Sequence, residues 1–401
     1  MKIIEPKYAF PLFTHQESTE YMLNNKDNIL VSDIWSFWTF VIKQWSKKRN
    51  KCVSAFLLSL LDQARYFYKA AEIAPLHSQP LLYYYSFLNL GKIIISVRGR
   101  AGDDLLEKMF HHGIETNPIG KDFSQYEVTI KSFIVPNQNV NSNKISVGYH
   151  LMACFGDSLP TNPTTINILE AMGNCLGIHR AYCLVSNKKQ ENFVRVVRSE
   201  VVKEGKKLIA RLYTKYKDNF LESTYGLQAT TPDKEEFLWE EQITMKNYSP
   251  TKRDYYNLSQ ALLQKGIWTY TDGEEYIMYL SSNSQVRYSS ASLIYCLMFF
   301  FGSITRYHPH LFETYLSEKY NWLVAEFLKT QPSQFLYIYV SSCRSIYHET
   351  KRVWIAYIGL YSYRIRAVDL SSVFCFHSLL SEYKLLKLKD DVSLCPKLSS
   401  T

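Results

Sequence analysis

The sequence predicts an α+β fold that is mostly helical, with core helices from both ends of the chain packed together and β-hairpins inserted in the middle. Two stretches, residues 81–97 and 293–304, are apolar around most of the circumference of a helix. Between them lie short alternating segments bounded by turn residues, a pattern typical of hairpins. Because an enclosed helix must bury nearly all of its surface, the two apolar stretches need each other, although about 200 residues separate them.

The composition is that of a folded chain with a substantial core. Of the 401 residues, 46% are hydrophobic and 21% are charged, as in globular proteins. The 31 Tyr and 22 Phe exclude a chain that is disordered as a whole, because disordered chains are poor in aromatic residues. The net charge of +9 is a mild basic excess, which serves either solubility or a surface for nucleic acid or another polyanion.

Cysteine spacing and the first residues bear on metal sites and location. The eight cysteines include no C-x-x-C pair, so we expect no zinc site, and no motif calls for a cofactor. The opening residues lack the apolar segment of a secretion signal, so we expect a cytoplasmic protein. Both apolar stretches are shorter than the roughly 20 residues of a membrane span, so we expect no membrane partner.

Three helices are predicted in the first hundred residues. Residues 34–45 carry tryptophans at helical spacing, which predicts a helix with its aromatic side chains packed inward. Residues 53–74 carry one apolar stripe and end at Pro75, and Pro80 suits the first turn of the next helix.

The third helix, residues 81–96, has one narrow polar strip. Ser86, Asn89, Lys92 and Ser96 fall within about a third of its circumference. Two interpretations stay open: a few structural hydrogen bonds with Lys92 reaching solvent, or a pocket lined by Asn89 and Lys92. Beyond a charged turn at 97–104, His111-His112-Gly113 is predicted to form a turn after a helix end, where Gly supplies a positive φ.

The middle of the chain is predicted to contain three strand pairs. The first is a hairpin between 123 and 149, and the second joins 192–202 to 207–213. The third spans 269–280, with Asp272-Gly273 as its turn. A helix is expected at 164–176, and further helices at 290–305 and 316–328.

These elements predict four parts of the chain. Residues 1–120 form an N-terminal helical part and 121–285 a mixed middle that contains the strands. Residues 286–343 form a C-terminal helical part that completes the core, and 344–401 a divergent tail. Because the two helical parts share one core, we expect one interlocked unit up to residue 343.

Two segments resemble the YaaC-like family of bacterial proteins. The first contains QARxFY at 63–68, PLLxYYSxLNLxK at 80–92 and His-Gly at 112–113. The second runs from an apolar helix into RYxP at 306–309 and continues with Trp322-Leu323 and Phe327-Leu328. The resemblance covers about 50–340 and is absent after about Arg344. It implies no particular activity.

A weaker resemblance is to the HEPN helical domains, many of which are ribonucleases or accompany nucleotidyltransferases in toxin and defence systems. Its carriers are Arg65-Tyr66, the helix with Tyr84-Tyr85, and His112-Gly113. The catalytic mark of that family is an Arg followed by a His after four to six residues, and this chain lacks it. The resemblance therefore implies a HEPN-like scaffold without the standard nuclease pair.

Two functions of different classes stay open. The favoured one is a non-enzymatic binding or interaction protein on a helical scaffold, because no complete catalytic motif occurs. The alternative is a diverged HEPN-like RNA- or nucleotide-directed enzyme in a toxin or phage-defence setting. A partner protein, RNA and a second copy of the chain in a homodimer are the open partners. The candidate catalytic residues are Arg65, His112 and Arg306, and the candidate binding residues are Asn89, Lys92 and His111.

Overall fold

The structure is a computed structural model, and it describes the residue ranges given at the end of this paragraph. Chain contacts separate Met1–Gly359 from Leu360–Thr401, and every described residue belongs to the first unit. The predicted turn at Asp272-Gly273 and the predicted tail, apart from residues 354–357, lie outside the described residues. The described residues are 2–3, 28–31, 33–47, 49–101, 105–116, 122–131, 144–155, 157, 162–187, 193–215, 228–229, 236–264, 267–271, 276–281, 288–317, 320–342 and 354–357.

Helices dominate this part of the chain, and two of them, α3 and α8, are buried nearly all round. Within the described part, no helix combines the length and apolarity needed to cross a membrane. The α-helices are α1 Ile34–Ser46, α2 Lys51–Ile73, α3 Gln79–Val97, α4 Val147–Cys154, α5 Ile168–Gly173, α6 His179–Val185, α7 Lys252–Gln264, α8 Ser290–Tyr307, α9 Pro309–Ser317 and α10 Asn321–Ser342.

The strands form one large antiparallel sheet and three small sheets. The large sheet has the order β10-β11-β9-β8-β13-β12, and β1 pairs with the far end of β8. The strands are β1 Lys2–Ile3, β2 Asn28–Val31, β3 Met109–His111, β4 Ile114–Thr116, β5 Glu127–Ile130, β6 Lys144–Ser146, β7 Thr164–Asn167, β8 Phe193–Glu204, β9 Lys207–Lys215, β10 Gln228–Ala229, β11 Glu236–Thr244, β12 Ile267–Thr271, β13 Tyr276–Ser281 and β14 Trp354–Tyr357.

Side-chain caps set where the early helices begin. Asp33 accepts a hydrogen bond from the Trp35 amide at 3.0 Å, and Asn50 accepts one from the Cys52 amide at 2.9 Å. Each cap satisfies an amide that the first helical turn leaves without a partner. Helix α1 then buries Trp35 and Trp38 as predicted, and the Trp38 ring packs against Tyr339 with 4.6 Å between centroids.

The central core joins α3 to α8, which confirms the prediction that the two apolar helices pack together. Phe87 stacks on Phe335 of α10 with 4.0 Å between ring centroids, and Tyr84 meets Phe299 edge to face at 5.4 Å. The Tyr339 hydroxyl donates to the Leu90 carbonyl oxygen at 2.7 Å. Helices from both ends of the chain therefore bury α3.

The large sheet has its own smaller core. Val196, Leu212, Phe237 and Leu258 are buried in one cluster between the sheet and α7. The predicted strand pair 192–202 with 207–213 is confirmed as β8 and β9, and the predicted hairpin within 269–280 is confirmed as β12 and β13. Turn residues in the sequence between the paired segments explain why their pairing could be predicted, since a short connection joins antiparallel strands.

Several local predictions were wrong. The described strands between 123 and 149 do not pair with each other as a hairpin: β5 pairs with β4 and β7, whereas β6 pairs in parallel with β3. Residues 164–167 are a strand, and the helix begins only at Ile168. The helix predicted at 316–328 runs instead from Asn321 to Ser342, through Pro332. Alternation indicates that a segment is a strand, but it does not identify the partner strand.

Candidate anion-binding site

The polar strip of α3 consists of three buried residues and the half-buried Lys92. Ser86 donates to the Ala64 carbonyl oxygen at 2.8 Å, and Ser96 donates to the Lys92 carbonyl oxygen at 2.7 Å. The side-chain amide of Asn89 links α2 to Lys92. It donates a hydrogen bond to Gln63 Oε1 at 3.3 Å and accepts one from Lys92 Nζ at 3.3 Å. Burial lowers the pKa of the Lys92 amine, which is half-buried at the edge of the helix.

His112 is held against α3 by a turn that requires glycine. Its ring packs against Phe299 with 5.9 Å between centroids, and its Nδ1 is hydrogen-bonded to the Tyr84 hydroxyl. The next residue, Gly113, has φ +69°, and a Cβ there would lie 1.7 Å from Ser146 Oγ. The predicted positive φ is therefore confirmed, but Gly113 follows β3 and not a helix end, because α3 ends at Val97.

The hydrogen bond to Tyr84 bears on which nitrogen of His112 carries the proton. Burial raises the pKa of the Tyr84 hydroxyl far above its ordinary value, so this hydroxyl keeps its proton and is able to donate a hydrogen bond to Nδ1. Packing against the protein lowers the pKa of His112, and the neighbouring charges of Lys92, His111 and Arg306 lower it further. A neutral ring that accepts at Nδ1 carries its single proton on Nε2. With Tyr84 as the donor, His112 presents an N–H at Nε2.

Arg306 reaches the same face from the end of α8. Its Nη1 donates to the Tyr85 hydroxyl at 2.9 Å, and its guanidinium lies 5.0 Å from the ring centroid of Tyr307. The guanidinium is solvent-exposed, and it is close enough to His112 to lower the pKa of the imidazole. The helix pair α3–α8 therefore brings Arg306 to a site that begins more than 200 residues earlier in the chain.

Five of the six predicted candidates meet at this face. Arg65 lies on the side of α2 that faces α1. Burial acts to raise the pKa of Asp33, but hydrogen bonds from Ser36 and Trp35 outweigh it, and the charge of Arg65 adds to the lowering. We use the name α3 basic face for Asn89, Lys92, His111, His112 and Arg306 together with the hydroxyls of Tyr84 and Tyr85.

Among the described residues, the charges that act on the histidines of this face have one sign. Burial lowers the pKa of His111, and so does the charge of Lys144. The charges that lower the pKa of His112 are likewise all basic. No ion pair joins Lys92, His112 or Arg306 to a carboxylate within the described ranges. An arrangement of like charges in partly buried surroundings suits an anion that neutralises them.

Sequence patterns alone pointed elsewhere for part of this face. Tyr84 and Tyr85 were part of an apolar run, and nothing local marks them as polar partners of His112 and Arg306.

Two histidines that stand close in sequence, His308 and His310, raise the question of a metal site, and their ring centroids lie 6.2 Å apart. Among the residues that the structure describes, no group of three or more His, Cys, Asp and Glu is placed to hold a metal ion.

Comparison with known proteins places the chain in a family. A family model described as YaaC-like Protein matches residues 12–343. This chain belongs to the YaaC-like protein family. The match confirms the resemblance carried by residues 63–113 and 306–328, and it ends at the point where the resemblance was predicted to end. No curated protein and no solved structure matches the chain. Membership in the YaaC-like family thus leaves the activity to be argued from the site.

Proposed function

We propose that this YaaC-like protein is a non-enzymatic binding protein that takes a phosphate-bearing anion at the α3 basic face. The observation that supports the proposal is the convergence of Lys92, His112 and Arg306, from three separate segments, on one solvent-reached face. The charges of Lys92 and Arg306 disfavour a further positive charge on His112, and the anion would replace this unfavourable arrangement with charge-assisted hydrogen bonds. Arg306 and the Nε2–H of His112 would donate to phosphate oxygens.

The protonation of His112 favours binding over catalysis. A general base must offer an unprotonated nitrogen to the substrate. With Tyr84 as the donor of their hydrogen bond, the unprotonated Nδ1 of His112 is engaged, and Nε2 on the other side of the ring carries the N–H. Tyr84 keeps its proton and cannot serve as the base. The side chains of this face are therefore suited to hold an anion and not to activate a nucleophile.

Isothermal titration calorimetry with inorganic pyrophosphate and with a nucleoside triphosphate tests the proposal. We expect binding by the wild-type protein and a loss of about tenfold in Lys92→Gln or Arg306→Gln, since a charge-assisted hydrogen bond contributes about 1.5–3 kcal/mol. Lys43→Gln removes an exposed charge of α1 and serves as the matched control, with unchanged affinity expected. Equal losses in all three variants, or no binding by the wild type, would contradict the proposed site.

The alternative function, a diverged HEPN-like RNA- or nucleotide-directed enzyme, is favoured by one observation, the proximity of an Arg and a His at this face. An RNA cleavage assay separates the two proposals. If the wild-type protein cleaves RNA and His112→Ala does not, while Lys43→Gln retains cleavage, the enzyme is the correct proposal. If binding occurs without cleavage, the binding protein is.

A further inference from the structure

Basic side chains continue beyond the α3 basic face, past the C-terminal end of α3. The turn that follows α3 exposes Arg100 and leaves Arg98 half-buried, and the strand β6 begins at Lys144, which is exposed. His150 lies on α4, near Arg100 and His111. In the sequence these residues belong to three unrelated segments, and none of them forms a motif with another.

Tertiary contacts hold these segments together. Strand β3 pairs in parallel with β6, so that Met109 lies opposite Lys144 and His111 opposite Ser146. Helix α4 begins directly after β6, and the Gly148 amide donates to the His112 carbonyl oxygen at 2.9 Å. The close contact of Gly91 with Val147 and Leu151 packs α4 on α3, and Arg100 Nη2 reaches the Ala153 carbonyl oxygen at 3.5 Å.

Electrostatic interactions connect the α3 basic face to His150 and Arg100. His111 lies close to His112 on one side and to His150 on the other, and Arg100 lies close to His150. Burial lowers the pKa of His150, and the charges that lower it further are those of Arg100 and His111. Among the described residues, the charges that shift the pKa of these three histidines are basic, and each of the groups is partly or fully reached by solvent.

We propose that these groups form one continuous basic track that binds single-stranded nucleic acid through successive phosphates. The proposal rests on the proposed function, since it extends the same anion-binding face. Arg306 and Lys92 lie near His112, which adjoins His111; Lys144 and His150 lie near His111, and Arg100 lies near His150. These seven groups make up the track.

The length of the track requires an extended ligand. From Tyr85, the partner of Arg306, to Val97 at its end, α3 covers about 18 Å at roughly 1.5 Å per residue. One strand with stacked bases carries a phosphate about every 3.4 Å, so about five phosphates fit along this length. A mononucleotide occupies only one end. A nucleic acid strand would contact the track over its whole length.

An exposed aromatic ring next to the track favours nucleic acid over other polyanions. Tyr307 is 64% exposed and stands beside Arg306 at one end of the track. Proteins that hold single strands combine a basic groove with aromatic side chains on which unpaired bases stack. Bases within a duplex are stacked on one another and leave no face free for such a ring, so a single strand is the expected ligand.

Fluorescence anisotropy with a labelled 12-nucleotide single-stranded RNA, and with DNA of the same sequence, tests the proposal. We expect both strands to bind, with an affinity that falls as salt rises. In Arg100→Gln/Lys144→Gln, affinity should drop about tenfold and the salt slope by about 1.4, since each phosphate contact to a single strand contributes about 0.7. Both side chains are exposed, so folding should be retained. Lys43→Gln/Lys246→Gln removes two exposed charges elsewhere and should bind as the wild type does.

Pyrophosphate binding separates this proposal from the one on which it rests. If Arg100→Gln/Lys144→Gln weakens RNA binding but leaves pyrophosphate affinity unchanged, the track is supported. If the wild type binds pyrophosphate but neither strand, the track is overturned and the anion site stands; if it binds neither probe, both proposals fail. Equal binding of a duplex, of inorganic polyphosphate or of poly-glutamate would overturn the assignment to single-stranded nucleic acid.

Discussion

Basic residues have opposite environments on two surfaces of this molecule. On the large sheet, Arg198 Nη2 lies 3.3 Å from Glu236 and Arg211 Nε lies 2.5 Å from Glu240, so carboxylates of β11 neutralise both arginines. On the α3 basic face, the described polar neighbours of Lys92, His112 and Arg306 are other basic groups, the amide of Asn89 and tyrosine hydroxyls. The sheet balances the charges of these two arginines with its own carboxylates, whereas under the proposed function an external anion would balance the charges of the helical surface.

The sheet also shows why basic residues interleaved with aromatic ones are a weak signal for nucleic-acid binding. The segment 211–217 has this pattern, but Arg211 pairs with Glu240, and Tyr213 donates to Glu200 and lies under Arg198 at 3.6 Å. Cross-strand ion pairs of this kind are ordinary features of an exposed sheet. What distinguishes the α3 basic face is the sign of the neighbours and not the residue types.

The largest expected effect is a loss of folding stability when the glycine in a turn beside either surface is replaced. Gly113→Ala should lower the free energy of unfolding by about 3 to 4 kcal/mol, because a left-handed φ and a Cβ 1.7 Å from Ser146 Oγ act together. Gly205 joins β8 to β9 with φ +56° and has nothing within 4 Å, so Gly205→Ala should cost only about 1 to 2 kcal/mol. Urea denaturation of both variants measures the difference, and equal losses would show that the close packing at Gly113 is not required.

The next largest effect is expected on pyrophosphate affinity when an arginine of either surface is replaced. Arg306→Glu places a carboxylate on the α3 basic face and should weaken pyrophosphate binding about a hundredfold, which corresponds to about 2.7 kcal/mol. Arg211→Gln on the sheet breaks its ion pair with Glu240 and should leave that affinity unchanged. Its effect on stability should stay below about 1 kcal/mol, because the pair is partly exposed. Calorimetric titration of both variants checks the contrast, which fails if Arg211→Gln weakens binding as much.

A smaller effect is expected at the hydrogen bond that orients His112. Tyr84→Phe keeps the ring contacts with Phe299 but removes the donor to Nδ1. Both tautomers of His112 then become accessible, and pyrophosphate affinity should fall about fivefold, or about 1 kcal/mol. Nitrogen chemical shifts of the His112 ring report the tautomer directly. A ring that remains protonated at Nε2 alone in Tyr84→Phe would show that Tyr84 does not select it.

The sequence contains enough to predict the scaffold, but only part of the site. Helices α3 and α8 are apolar all round, and such helices have few ways to bury themselves, so their pairing could be predicted. Helical periodicity also identified the narrow polar strip of α3, and with it Asn89 and Lys92 as candidate binding residues. The parallel pairing of β3 with β6, which brings Lys144 and His150 beside His111, depends on long-range packing that periodicity does not record. The hairpin prediction at 123–149 failed for the same reason.

The smallest expected effect is a dependence of pyrophosphate affinity on pH. In the free protein, packing and the charges of Lys92, His111 and Arg306 hold the pKa of His112 below its ordinary value of about 6.5. A bound anion would raise this pKa, so affinity should be highest below the free-state pKa and should be lost as pH rises through the bound-state pKa. His112 should affect folding in the opposite sense: its lowered pKa contributes stability above about pH 6.5, and this stability is lost as pH falls. Titrations between about pH 5.5 and 7.5 with wild type and His112→Gln measure the effect, because the difference between them removes the titration of pyrophosphate itself. Parallel pH profiles for the two proteins would show that His112 carries no charge in the complex, and would reduce its role to that of a neutral donor.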